Sequence, residues 1–441
     1  MATPAPPAPL APLPAPTPAV LLIGTLDTKG AEIGYVRDLL REEHGLEVLV
    51  LDSGILGEPR DIAPEIGRAE VAAAAGPGES LEAIRAAGSR GAAVERMRRG
   101  VARITVDLYK EGRIGGVLCI GGAEGSVLGA AAVHALPVGV PKLVVSPLAS
   151  GKRPFGPLMG TRDVMVLHSV VDILGLNPLS RAVFRNAAGA MAGMVRAAAA
   201  PTPDADERLV GVTMLGNTTT AVMHLKGLLE EQGYTPVVFH ANGVGGPAME
   251  ELIVAGHFRG IVDYTPQELS DNIVGGFHVA GPGRMEAAVE AGLPLVVVAS
   301  CLDFSVHGPR HSVPERLQNR CSYYHNPEYT LVRLTGDEME QVGRTLAAKL
   351  NRASGPTAVV VPHGGLSIAN VPGGDLFDPA ADARFFAALD ADLRPHVRRV
   401  DVPDHANSVA CAAVAAREFS HLMGSVAARQ TRQTMDSPVS R

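Results

Sequence analysis

Tryptophan is absent from the chain and cysteine nearly so, with four in 441 residues. Cys119, Cys301, Cys321 and Cys411 stand far apart and form no C-x-x-C pair, which excludes a disulfide-stapled scaffold and matches usage in a reducing compartment. Charge is also sparse, at 19% of residues against roughly 25% in an average globular protein. Basic residues are in the minority: 39 Lys plus Arg face 46 Asp plus Glu, for a formal net charge of -7. No global basic field draws in nucleic-acid phosphates or anionic lipid. Small molecules or proteins are therefore the expected partners, not nucleic acid or membrane. Missing too is any uncharged apolar run near the roughly 20 residues that span a bilayer. The opening MATPAPPAPLAPLPAPTPA lacks a basic n-region and is broken by proline, so it does not read as a signal peptide. Residues 1–18 are expected to be a disordered or polyproline-II-like arm, and the expected location is cytoplasmic.

What the chain has in quantity is apolar surface, at 46% hydrophobic residues, enough for two or three domains of about 100–200 residues each. Short apolar runs bounded by Gly, Pro or Asp occur at 20–24, 46–51, 114–120, 143–146 and 164–168, and again at 209–214, 236–240, 260–263, 295–299, 358–361 and 397–402. They are too short for helices and read as buried parallel strands. Amphipathic stretches between them, such as 31–43, 81–87, 92–110, 127–135, 343–351 and 380–389, read as helices. This alternation predicts an α/β architecture of doubly wound parallel sheets. The Pro, Ala and Asp-rich stretch at 197–208 reads as a linker, giving a domain at 19–200, a linker at 201–208, a domain at 209–424 and a flexible tail at 425–441. The halves open alike: VLLIGTLDTKG, a helix ending LLREEHG and LEVLVLD are echoed by LVGVTMLGNTT, a helix ending LLEEQG and TPVVFHA. Two Rossmann-like domains with a cleft between them are expected.

In such sheets ligands bind beyond the carboxyl ends of the strands, where loops enter helix N-termini whose free N–H groups favour anions. The first such loop holds Gly24, Thr25, Asp27, Thr28, Lys29 and Gly30. Asp27 suits a metal–phosphate or a ribose hydroxyl and Lys29 suits phosphate; alternatively Asp27 or Thr28 simply caps the helix. The next glycine loop carries Gly121, Gly122, Glu124, Gly125 and Ser126, a turn able to cradle phosphate or to serve tight packing alone. Ile120 stands where the dinucleotide fingerprint needs its first glycine, and Glu124 is a poor neighbour for phosphate unless it turns away or holds Mg2+. Ser150, Gly151 and Lys152 resemble the end of a Walker loop, but Ser146 and Arg153 occupy positions that motif reserves for other residues. Lys152 and Arg153 are thus either anion contacts or a solvated loop.

In the second half the strand-end positions hold His240, Asn242, Gly243, Gly245 and Gly246, then Asp263, Thr265 and Glu268. Thr265 and Glu268 also fit a T-x-x-E capping box. The densest polar run, 300–311, is read as a loop after a strand and contains Cys301, Asp303, His307 and His311. The His307–His311 spacing matches helical zinc ligands, yet Gly308 and Pro309 break that helix, so no metal centre is expected. Cys301 is a nucleophile only in an activating environment. Asp303, His240 and His307 are the acid–base candidates if the protein is an enzyme. Arg96, Arg98, Arg99 and Arg103 read as a solvated helix face.

Taken together, LLIGTLDTKGAEIGYVRDLL, the GG-x-x-G-S loop, PKLVVSPLASG, VVDILGLNPLSR, NAAGAMAGMV, VVFHANGVGGPAMEELI, HNPEYTLVR and PGGDLFDPAAD resemble the Tm-1-like ATP-binding family in collinear order over about residues 20–423. The resemblance implies two Rossmann-like subdomains, ATP as ligand with or without Mg2+, and a homodimer. It also points to a TIM-barrel-like partner protein resembling phosphoenolpyruvate-utilising enzymes. The family loop usually reads GG-S-G-G-T and is followed by ASGD, where this chain has Ala123, Glu124 and Ser126, then Lys152. On this reading the nucleotide meets Gly24, Thr25, Asp27, Thr28, Lys29, Gly121, Gly122, Gly125, Ser126, Ser150, Gly151 and Lys152. An unknown small molecule would then face Asn242, Gly243, Gly245, Gly246, Asp263, Thr265, Glu268 and Asp303. The physiological reaction is left open between an ATP-binding protein, an enzyme acting on a small phosphorylated or carboxylated metabolite, and a regulatory module for the TIM-barrel partner.

Overall fold

The computed structural model describes residues 18–149, 158–199 and 208–435, with side chains through residue 426. The expected arm, most of the expected linker and the loop of Ser150, Gly151 and Lys152 lie outside the described residues. The chain divides into two compact units, Met1–Pro203 and Asp204–Arg441.

In the N-terminal unit, β1 (Ala19–Gly24), β2 (Val48–Asp52), β3 (Ile114–Ile120), β4 (Lys142–Ser146) and β5 (Met165–His168) pair in parallel in the order β2-β1-β3-β4-β5. Six helices surround them: α1 (Leu26–Asp38), α2 (Arg68–Ala74), α3 (Leu81–Arg85), α4 (Arg90–Lys110), α5 (Ala123–Ala135) and α6 (Pro178–Ala198). The continuous apolar character of β1 follows from burial of both its faces. Leu21 and Ile23 join a core with α2 to α5, while Val20 and Leu22 join a second core with α1 and α6. Each such side chain contributes about 1.5–3 kcal/mol on burial. Helices α3, α4 and α6 are capped by Ser80, Ser89 and Asn177. The N-cap residues of α1 and α5, Thr25 and Gly122, make no side-chain cap bond. The glycine loop is largely the first turn of α5, which starts at Ala123 and not at residue 127: Gly122 takes the N-cap position and Glu124 sits where acidic residues favour a helix start.

The C-terminal unit repeats this strand order and extends it. Its strands are β6 (Leu209–Met214), β7 (Thr235–His240), β8 (Gly260–Asp263), β9 (Leu295–Val298), β10 (Phe304–His307), β11 (Ser322–Asn326), β12 (Tyr329–Arg333), β13 (Thr357–Pro362) and β14 (Arg398–Val402). Six pair in parallel as β7-β6-β8-β9-β13-β14. Helices α7 (Thr219–Glu231), α8 (Gly245–Val254), α9 (Glu268–Val274), α10 (Glu286–Glu290), α11 (Gly336–Leu350), α12 (Pro379–Asp392) and α13 (Val409–Met435) complete it. Val262, Val296 and Val360 pack against α7 and α13, while Ile261, Leu295, Val297 and Val359 pack on the opposite face against α8 to α12.

Two expectations are corrected here. Part of the run at 300–311 is strand β10, which joins β12 and β11 in an antiparallel sheet of order β10-β12-β11. Its alternating Phe304, Ser305, Val306 and His307 present one apolar face, which packs with Leu331, Ala369 and Leu376, and one polar face. The expected tail from 425 begins instead as a continuation of α13 through Met435; its Ala, Arg and Gln residues are strong helix formers with no breaker among them. No helix among the described residues is long and apolar enough to cross a membrane.

Candidate functional site

In a sheet of order β2-β1-β3-β4-β5 the connections leaving β1 and β3 run to opposite faces, which opens a crevice between them at the carboxyl edge. The N-terminal unit has a cavity of about 280 Å3 there, lined by Thr25, Asp27, Thr28, Lys29, Gly122 and Gly125 together with Gly54, Ile55, Leu56, Arg90, Ala123 and Glu124. Loops separated by almost 100 residues thus form one wall, joining both glycine-bearing segments singled out in the sequence. The capping alternative for Asp27 and Thr28 is not what forms: both lie inside α1, whose N-cap position is Thr25. Gly121 is required by close approach, since a Cβ there would lie 2.5 Å from the Gly125 backbone, whereas a Cβ on Gly122 would meet nothing within 4 Å. Gly24 packs beneath, against Ile33. Ser126 does not face the cavity as a phosphate contact: it is fully buried and donates 2.7 Å to the Gly121 carbonyl, beside the Ser146 hydroxyl at 2.6 Å.

Charge in the crevice is arranged in pairs with one cation left over. Asp27 accepts from the Gly57 N–H at 3.0 Å. Glu124 is turned onto Arg90, 2.6 Å from Nε, so the carboxylate that sequence placed against phosphate is neutralised by a neighbour. Lys29 is half-buried and makes no ion pair among the described residues. Beneath the loops lies Asp52, fully buried at the end of β2, accepting from Leu26 N at 3.1 Å, Gly54 N at 2.9 Å and Arg68 Nε at 2.7 Å. One carboxylate therefore ties the start of α1 to the loop after β2. Sequence reasoning passed over Asp52, Arg68 and Arg90. The only signal was an aspartate closing an apolar strand, and its partners Arg68 and Leu26 stand 16 and 26 positions away.

The C-terminal unit reverses direction at the equivalent place, between β6 and β8, but there the strand ends are filled. Arg284 is fully buried and donates to Asp263 at 2.5 and 2.8 Å and to Glu268 at 2.5 Å. Thr213 donates to Asp263 at 2.7 Å, and Glu268 accepts from Gly243 N and Gly246 N. The cleft residues Asp263, Glu268, Gly243 and Gly246 are thus joined through a cation absent from the sequence reading. The T-x-x-E capping box does not form. Gln267 is at the N-cap of α9, and the Thr265 hydroxyl instead lies 2.8 Å from that of Thr218. The Asn242 Oδ1 accepts from Val244 N and Gly245 N within its own turn.

The three acid–base candidates are dispersed. His240 ends the edge strand β7, three strand positions from β9 and the Asp303 that follows it. Asp303 is fully buried and accepts from the Ser367 hydroxyl at 2.6 Å; burial pushes its pKa up to about 6, against the pull of Arg333. His307 is buried on β10 with Nε2 2.9 Å from the Ser305 hydroxyl, and burial, with Arg316 and Arg320 adding to it, pushes its pKa down to about 4. His311 sits on an exposed 3-10 turn, so the two histidines share no helix face. Cys301 adopts φ 56° and is fully buried, which pushes its thiol well above the ordinary range and leaves it unreactive. Among the described residues no group of three or more His, Cys, Asp or Glu side chains is placed to hold a metal ion.

Comparison with known proteins gives a consistent picture. Residues 18–200 match the N-terminal domain of an uncharacterised protein family, UPF0261, and residues 207–423 match its C-terminal domain. A UPF0261 protein of Clostridium tetani is 39% identical over 92% of this chain and 98% of its own length. One from Rhizobium meliloti is 37% identical over 90% and 98%. The tomato ToMV resistance protein Tm-1 is 37% identical over 66% of this chain but only 39% of its own length.

Proposed function

The chain belongs to the UPF0261 family, and from that premise we propose that its N-terminal unit binds a nucleotide, ATP with or without Mg2+, through the phosphates in the crevice between β1 and β3. The observation that carries this reading is the meeting there of the start of α5, which no side chain caps, with the first turn of α1 and the ammonium of Lys29, which has no ion pair among the described residues. Free first-turn N–H groups and the positive end of the helix dipole favour a phosphate by electrostatics alone. The donor set also suits a divalent ion carried in with the nucleotide, since Asp27 and Glu124 line the same cavity. Mg2+ bound there would neutralise phosphate charge.

A second hollow, of about 510 Å3, shares Ile55, Leu56, Arg90 and Glu124 with the first and adds Ala86 and Ala93. Its apolar wall suits a purine, and Leu56, 70% exposed, is the side chain a base would cover. A homodimer, a cytoplasmic location and a TIM-barrel-like partner belong to the same reading through the family resemblance. Calorimetric titration tests it: saturable heat with Mg-ATP, none with adenosine, and affinity about tenfold weaker in Lys29→Ala are expected. No heat at millimolar Mg-ATP contradicts it.

A further inference from the structure

The antiparallel sheet of the C-terminal unit carries a second, unrelated feature. Register places Thr330 opposite both His307 and Tyr324, and Val332 opposite both Ser305 and Ser322. These six side chains share one face, because opposed residues on neighbouring strands point the same way. The other face, with Phe304, Val306 and Leu331, is buried in a small apolar core. Residues 308–321 cross over the polar face as two 3-10 turns, Arg310–Ser312 and Glu315–Leu317, and leave a cavity of about 370 Å3 beneath them.

The cavity wall is one-sided in charge. Arg310, His311 and Arg320 line it with the hydroxyls of Ser322 and Thr330, and no carboxylate does. Arg310 has no ion pair among the described residues. Arg320 is held in place by Glu338, at 2.6 and 3.0 Å, which positions its guanidinium. An independent observation points to a missing partner. Thr330 is only 1% exposed, and its Oγ1 has no hydrogen-bond partner, a condition that costs about 1–3 kcal/mol in a buried polar group unless something supplies the bond. The depressed pKa of His307 is traced in part to Arg316 and Arg320 and reports the same local positive field. Val313, Leu317 and Val332 add an apolar patch to the wall, which suits a short carbon skeleton.

We propose that this pocket binds the oxyanion group, phosphate or carboxylate, of a small metabolite, with Arg310 and Arg320 as charged donors and Thr330 as the buried hydroxyl donor. It is a site separate from the nucleotide crevice and formed within the C-terminal unit alone. The test uses the full chain in a Gly122→Asp background, chosen to weaken any phosphate binding at the crevice, and follows the His311 ring resonances by NMR. Inorganic phosphate and succinate are titrated separately. At least one is expected to shift His311 saturably in the millimolar range; phosphate alone assigns a phosphorylated ligand and succinate alone a carboxylated one. Arg310→Gln, an exposed change that leaves the fold intact, is expected to weaken binding about tenfold, and the isosteric Thr330→Val about threefold. The proposal is overturned if neither anion moves the His311 signals, or if both variants bind as the parent does.

Discussion

The two units wind their sheets in the same order, second-first-third-fourth-fifth, yet the place where each order reverses is finished in opposite ways. Between β1 and β3 the strand ends open onto the uncapped start of α5, a lysine with no ion pair among the described residues, and a cavity. Between β6 and β8 the corresponding carboxylates, Asp263 and Glu268, are clamped on the buried Arg284 and on Thr213 and the Gly243 and Gly246 N–H groups. The lesson is that topology supplies a potential binding position, while the side chains decide whether it stays available. In the first unit the buried aspartate, Asp52, ties the start of α1 to the loop after β2 from below and leaves the start of α5 clear. In the second, buried ionic groups occupy the reversal point themselves.

The comparison is broken most forcefully at Arg284. Arg284→Met leaves Asp263 and Glu268 buried without their cation, which is expected to destabilise the C-terminal unit by about 3–5 kcal/mol in urea denaturation. Mg-ATP binding by the N-terminal unit should persist; its loss in step with that unfolding would show that the two reversal points do not act independently.

A smaller effect separates the units by pH. The folded pKa of Asp303, about 6, lies above the ordinary aspartate value of about 3.9, so the folded state holds a proton there that the unfolded chain releases between about pH 4 and pH 6. Its contribution to stability therefore falls as pH rises through that window. Asp303→Asn removes this slope and is expected to gain about 2 kcal/mol relative to the parent between pH 4 and pH 6.5. His278 and His307, held near pKa 4, give an opposite slope to parent and variant alike and cancel in the difference. An unchanged difference across the window would remove Asp303 as its source.

How much of this was legible beforehand follows from the range of each signal. Strands buried on both faces announce themselves as unbroken apolar runs, so β1, β9 and β13 are readable from Val, Leu and Ile alone, and their alternation with helices gives the doubly wound class though not the strand order. The strands β10 to β12 are four or five residues long, and β10 and β12 alternate apolar with polar or β-branched residues, Phe, Ser, Val and His or Tyr, Thr, Leu and Val, so the first passes for a polar loop even though all of β10 is buried. The crevice was half legible. Thr25, Asp27, Thr28, Lys29, Gly122 and Gly125 carry local strand–loop–helix patterns, whereas Arg90 becomes relevant only through Glu124, 34 positions away. Arg284 was invisible for the same reason: nothing in GPGRMEAAVE hints at carboxylates 16 and 21 positions earlier.

The open reversal point is the central claim, and Gly122 is where it is tested with least disturbance. Its φ of -66° and ψ of -158° suit any residue, and a Cβ there meets nothing within 4 Å. Aspartate is also a favourable N-cap, worth a few tenths of a kcal/mol over glycine. The decisive measurement is Mg-ATP affinity and thermal midpoint together in Gly122→Asp. The account predicts an unchanged or slightly raised midpoint with affinity at least tenfold weaker, because a carboxylate then occupies the helix start that the phosphates need. Parent-like affinity in a folded variant would contradict it.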